Sequence, residues 1–141
     1  MSLQNVEIVR QFYEGAREVE RVVMEGGDVA GHPWWALWHP ECVLREMSEV
    51  PDAATYHGRD GVVSWMRRLS ELFDEFRFTP VEIIEGRDGV FVSVNNRGRS
   101  KMGVELEVRI YQVLRVRDGM IIYAAGYSDR DQALKAVGLE E

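Results

Sequence analysis

The sequence predicts an α+β fold: a curved, mostly antiparallel sheet wrapped around N-terminal helices. Two observations predict it. Apolar residues recur at the 3,4 spacing of helices up to about residue 76, and after Pro80 they alternate with period two. Helices first and hairpin-linked strands after is an α+β order. The chain has 141 residues, 45% of them hydrophobic, which suits a single domain over residues 1–141 with one core.

Residues 5 to 24 read as the first helix. Val6, Val9, Phe12, Tyr13, Ala16, Val19 and Val23 form its buried stripe, Asn5 suits the N-cap, and Glu25-Gly26-Gly27-Asp28 ends it. Residues 29 to 41, VAGHPWWALWHPE, follow. Pro33 fits the first turn of a short helix, and His39 before Pro40 closes it. Trp34, Trp35, Leu37 and Trp38 cannot all share one side, so the segment is buried nearly all round or lines a cavity or subunit contact. Residues 42 to 47 read as a strand and SEVPDAATYHGRDG as a loop. A second helix is predicted over residues 60 to 76, capped by Asp60, with Val62, Trp65, Met66, Leu69, Leu72, Phe73 and Phe76 as its stripe. Strands are predicted at 81–85, 90–98, 104–116 and 120–128. Asp88-Gly89 and Asp118-Gly119 suit type I′ hairpins. Asp129 and Gln132 have capping-box spacing for a last helix over 130–138. A twisted sheet with helices over one face makes a half-open cone with a natural cavity.

The net charge of −7 argues against nucleic acid and against an anionic membrane as partners. No stretch is apolar for the length of a membrane span. A lone cysteine, Cys42, excludes an intrachain disulfide, and with no signal-peptide pattern a cytoplasmic setting is the expectation. His32, His39 and His57 lack ligand spacing, so no metal is expected, and no phosphate loop or GxSxG occurs. The stretch WHPECVLREM poses the central question. On a strand Arg45 and Glu46 point to opposite faces, and alternation alone is consistent with either pointing inward.

The segments NVEIVRQFYEG, WHPECVLRE, TYHGRDGVVSWM, ELEVRIYQVLRVRDGMI and GYSDRDQALKAVGL, in this order, resemble the SnoaL-like branch of the NTF2-like superfamily. That branch includes polyketide cyclases and relatives of ketosteroid isomerase. The resemblance covers nearly the whole chain, except residues 20 to 35, where this chain is longer. It implies an NTF2-like cone and a homodimer through the sheet face, where Arg109, Tyr111, Val113 and Arg115 lie. It also implies an apolar pocket for a small hydrophobic molecule, without a cofactor. As an enzyme, such a protein abstracts a proton next to the ketone of a cyclic or polyketide-like substrate. The alternative is a non-catalytic binding protein.

By strand position Glu46 matches the general base of ketosteroid-isomerase-like members. Tyr13 matches their helix tyrosine, and Gln112 stands where they have an acid. An amide is a weaker donor to an enolate than a neutral carboxyl. Trp38, Tyr56, His57, Trp65, Phe73 and Tyr127 are the expected substrate-binding residues, mostly as the apolar wall of the cavity.

Overall fold

The computed structural model describes residues 2–27, 31–49 and 53–139. Asp28, expected to help end the first helix, lies outside them, as do residues 29–30 and 50–52 of the two predicted connections.

Helix α1 spans Ser2–Met24. It therefore starts before Asn5, which is not the N-cap; the Asn5 side chain instead donates to the Glu85 carboxylate at 3.3 Å. The predicted stripe holds: Val9, Phe12, Tyr13, Ala16 and Val19 are buried. A 3-10 helix, Pro33–Leu37, comes next, with Pro33 in its first turn and the His32 ring accepting from the Trp34 N–H. Strand β1 (Trp38–Arg45) starts earlier than expected, and Pro40 falls where its pairing shifts register. Prolines are tolerated at such irregularities. A short strand β2 (Thr55–His57) lies in the predicted loop.

Helix α2 covers Gly58–Leu72, capped at His57, with Asp60 in the first turn rather than at the cap. It stops before Phe73 and Phe76. Those two belong to β3 (Phe73–Gly86), paired along its length with β4 (Gly89–Ser100). The helical stripe misled because the apolar spacing continues past Leu72. The run Asp74 to Thr79 nonetheless contains the alternation Glu75-Phe76-Arg77-Phe78, which a long ladder can use. Pro80 is accommodated because β3 is an edge strand.

Strands β5 (Glu105–Arg117) and β6 (Met120–Tyr127) and helix α3 (Arg130–Ala136) complete the chain. The Asp118-Gly119 turn has positive φ at both residues, 54° and 76°, as a type I′ turn needs. At Asp88-Gly89 only Gly89 is positive, so that turn is of another type. The Asp129 side chain caps α3 through the Gln132 N–H at 3.1 Å.

Among the described residues six strands form one sheet, in the order β2-β1-β6-β5-β4-β3. All neighbours are antiparallel except β1 and β6. The main core lies between the sheet's inner face and α1, α2 and the 3-10 helix. On the outer face α3 seals a smaller core of Phe91, Val113, Ala133, Leu134 and Val137. Val113, expected on an exposed contact face, is thus fully buried under α3.

Gly15 shows how closely the tryptophan segment is seated. A Cβ there would lie 2.5 Å from Trp34 Cδ1. Glycine inside a helix ordinarily costs about 1 kcal/mol relative to alanine. Gly15→Ala is therefore expected to destabilise the protein rather than stabilise it, because the buried Trp34 ring must move. A higher urea midpoint for the variant would refute this packing.

Candidate functional site

The stripe of α1 carries Tyr13 onto the inner face of β5, where its hydroxyl donates to Gln112 Oε1. Register puts Gln112 on the same face as the buried Ile110 and Leu114. Around this pair the aromatics interlock. The Phe12 ring lies 5.3 Å from Trp34 and 5.1 Å from Trp38, and Trp34 lies 5.6 Å from Trp38. The Trp34 indole N–H donates to the Phe12 carbonyl at 2.9 Å. Tyr13, Gln112, Trp38, Trp65 and Phe78 border one small cavity of about 40 Å³. That is little more than the space of a water molecule and far below the roughly 300 Å³ of an ordinary ligand site.

Glu20 also borders this cavity, and sequence reasoning passed it over. It is 3% exposed. Its Oε2 accepts from the Phe78 N–H at 3.3 Å, while Oε1 is buried with no partner. Burial pushes its carboxyl up to about 8, against the pull of the Phe78 hydrogen bond and the positive charges of Arg77 and Arg17. The Tyr13 phenol is held well above its ordinary value, by burial first and the Glu20 charge second. Tyr13 is therefore a neutral donor. The signal for Glu20 was in the stripe: it lies four residues after Ala16 and three before Val23.

Among the described residues, Trp38 Nε1 is a second buried group without a partner. One orphan donor and one orphan acceptor thus belong to residues bordering the same cavity. Buried polar groups are almost always paired, so these two stand out.

Glu20 further borders an open cleft of about 490 Å³ between the C-terminal half of α1 and the projecting ends of β3, β4 and β5. It therefore borders both the small cavity and this cleft.

The strand expected to reach Met47 ends at Arg45, which points to the Tyr123 hydroxyl at 3.3 Å, and Glu46 lies just past it with its side chain largely buried. Yet Glu46 does not border the cavity. Its Oε1 accepts from Arg68 and from the Ala54 N–H, both at 3.0 Å, and the same Arg68 nitrogen donates to the Tyr56 hydroxyl at 3.1 Å. Glu46 and Tyr127 border a separate polar hollow of about 250 Å³. Tyr127 is there because it shares the outer-face parity of Tyr111, its partner in the ladder. His57 is exposed at the edge strand, and Phe73 packs against the core without bordering the cavity. Of the expected site residues, the fold brings together Tyr13, Gln112, Trp38 and Trp65, and it sets Glu46, Tyr56, His57, Phe73 and Tyr127 apart from them. Among the described residues no cluster of His, Cys, Asp or Glu is placed to hold a metal ion, and no helix is long and apolar enough to cross a membrane.

A helix-backed, unclosed sheet whose inner face carries the main core is of the NTF2-like class. The chain belongs to the SnoaL-like family, whose domain pattern matches residues 9–124. No curated protein matches the sequence. Similar solved structures include an NTF2-like protein of unknown function from Burkholderia pseudomallei, 22% identical, with a TM-score of 0.71 over 97% of this chain and 98% of that one. TerC, co-crystallised with polyporic acid, is 19% identical, with a TM-score of 0.73 over 96% of this chain and 98% of that one. A protein of ketosteroid isomerase-like fold from Catenulispora acidiphila, in complex with trimethylamine, is 20% identical, with a TM-score of 0.60 over 75% of this chain and 80% of that one.

Proposed function

We propose that this SnoaL-like protein is a cofactor-free acid–base enzyme for a hydrophobic ketone, with Glu20 as the proton-handling group. The observation that carries the reading is the buried carboxyl with one unpartnered oxygen, bordering both an open cleft and the cavity that Tyr13 and Gln112 border.

The substrate lies in the cleft with its carbonyl oxygen reaching past Glu20 into the small cavity that Trp38 and Gln112 border. Ionised Glu20 takes the proton from the carbon next to the carbonyl, and the electron pair of that bond moves to the carbonyl oxygen. The enolate oxygen accepts from the orphan Trp38 Nε1–H and from the Gln112 amide, whose oxygen is tied to Tyr13. Returning the proton to another carbon isomerises the substrate and restores Glu20. A base of pKa about 8 is strong enough for this step. Its ionised fraction grows as pH rises, so the rate is expected to climb through about 8. Glu46, already paired with Arg68 and Ala54, serves in this reading to tie the segment after β1 to α2.

The test is deuterium exchange next to the carbonyl of β-tetralone in heavy water, followed by NMR. The protein should speed exchange above the buffer rate. Glu20→Gln should abolish the gain by orders of magnitude, whereas Glu46→Gln should retain most of it. No acceleration by the native protein would end the enzymatic reading. Loss in Glu46→Gln but not in Glu20→Gln would return the base to Glu46.

The mostly apolar and aromatic lining of the cavity favours a second reading, a non-catalytic binding protein for a small apolar molecule. Two structures of this fold were crystallised with small organic molecules, trimethylamine and polyporic acid. A binder would be stabilised thermally by its ligand and would leave tetralone exchange at the buffer rate.

A further inference from the structure

The open cleft is unusual for its guanidinium groups. Arg17, Arg21, Arg77, Arg97 and Arg99 line it, with the carboxyls of Glu20, Glu25, Glu75, Glu105 and Glu107. Three of the arginines are neutralised locally. Arg21 pairs with Glu25 at 3.3 Å, Arg99 with Glu75 at 3.1 Å, and Arg97 with Glu107 at 3.9 Å. Among the described residues, the guanidinium groups of Arg17 and Arg77 have no hydrogen-bonded or ion-paired partner. The positive charges of these two favour the ionised form of Glu20, against its burial. Glu20, protonated for the most part at neutral pH, leaves them uncompensated. Glu105 is the remaining carboxylate of the cleft without an arginine partner, and it stands at the start of β5.

The rest of the lining is apolar. Phe76 is buried, Met24 is half-buried, and Leu106 is 50% exposed because β5 projects past the cover of α1. An apolar floor beneath two unpaired cations describes an amphiphilic guest. Arginine's planar fork recognises carboxylates by paired hydrogen bonds.

We propose that the cleft takes a hydrophobic carboxylate, its anionic group held by Arg17 and Arg77 and its apolar body laid on Phe76, Met24 and Leu106. This deepens the reading of Glu20 as the proton-handling group: the carboxylate clamp at the mouth would aim the ketone end of a keto acid at Glu20.

The experiment is calorimetric titration of the intact protein with benzoylpropionate and, separately, with its primary amide. The native protein should prefer the carboxylate by about tenfold or more. Arg17→Gln and Arg77→Gln should each remove most of that preference, weakening the carboxylate much more than the amide. Both side chains are exposed, so neither variant threatens folding. Equal binding of acid and amide, no binding of the acid, or a preference that survives in both variants would overturn the proposal. The tetralone probe carries no anion, so it judges Glu20 independently. Exchange without a carboxylate preference removes the clamp and keeps the base. A preference without exchange keeps the clamp and removes the catalysis.

Discussion

Raising the pH from about 5 to about 9 should cost the native protein several kcal/mol that a Glu20→Gln variant does not lose. The sign follows from the direction of the shift. Burial raises the folded-state carboxyl from the ordinary 4.5 to about 8, so the folded chain holds this proton more tightly than the unfolded chain. The stabilisation from the neutral form is complete below about pH 4.5 and is lost as pH climbs through about 8. A shift of this size is worth on the order of 5 kcal/mol, a large part of the stability of a domain this small. Above that pH the carboxylate is charged in both states, and the folded state bears the whole cost of an ion with one unpartnered oxygen. Glutamine keeps the Phe78 hydrogen bond through its own oxygen and has nothing to titrate. The measurement is urea unfolding of both proteins across this range. Parallel stability profiles would mean that Glu20 is solvated in the folded protein, and the base assignment would fall with it.

Trp38→Ala should destabilise the protein by about 3–5 kcal/mol. Trp38 is 1% exposed and stands where β1 meets the 3-10 helix, with its ring against Phe12 and Trp34. Removing the indole deprives both rings of their contact and opens the 40 Å³ cavity by the volume of a bicycle. Trp38→Phe should cost much less, since it keeps an aromatic ring in place and removes an indole N–H that has no partner. Added indole should restore part of the loss in the alanine variant, as a ligand of the folded state alone does. Chemical denaturation gives all three values. A Trp38→Ala variant within about 1 kcal/mol of the native protein would mean that the tryptophan segment does not close the core.

Much of the fold was legible because periodicity reports burial directly. The stripe of α1, the strand alternation after Pro80, the Asp118-Gly119 turn and the Asp129 cap all depend on residues within a few positions of one another. The family resemblance was legible for the same reason: it rests on short segments in a fixed order, and residues 9–124 match the SnoaL-like domain. Errors fell where a long-range ladder overrode local spacing. Phe73 and Phe76 continue the stripe of α2, yet pairing with β4 draws them into β3. Thr55–His57 reads as loop and becomes an edge strand only because β1 is there to pair with it.

The site divides the same way. Parity alone could not choose between Arg45 and Glu46. The structure turns Arg45 outward and then removes Glu46 from the cavity, because Arg68, on the next helix, reaches its carboxylate first. No local pattern announces a partner 22 residues away. By itself the sequence determined most of the elements, the inward positions of Tyr13 and Gln112, and the aromatic wealth of the interior, since each follows from periods of 3.6 or 2. Only the tertiary structure decided which carboxyl is desolvated. Burial of Glu20 depends on how far β3 and the tryptophan segment close over α1, and desolvation is a property of everything within a few ångströms rather than of neighbours in the chain.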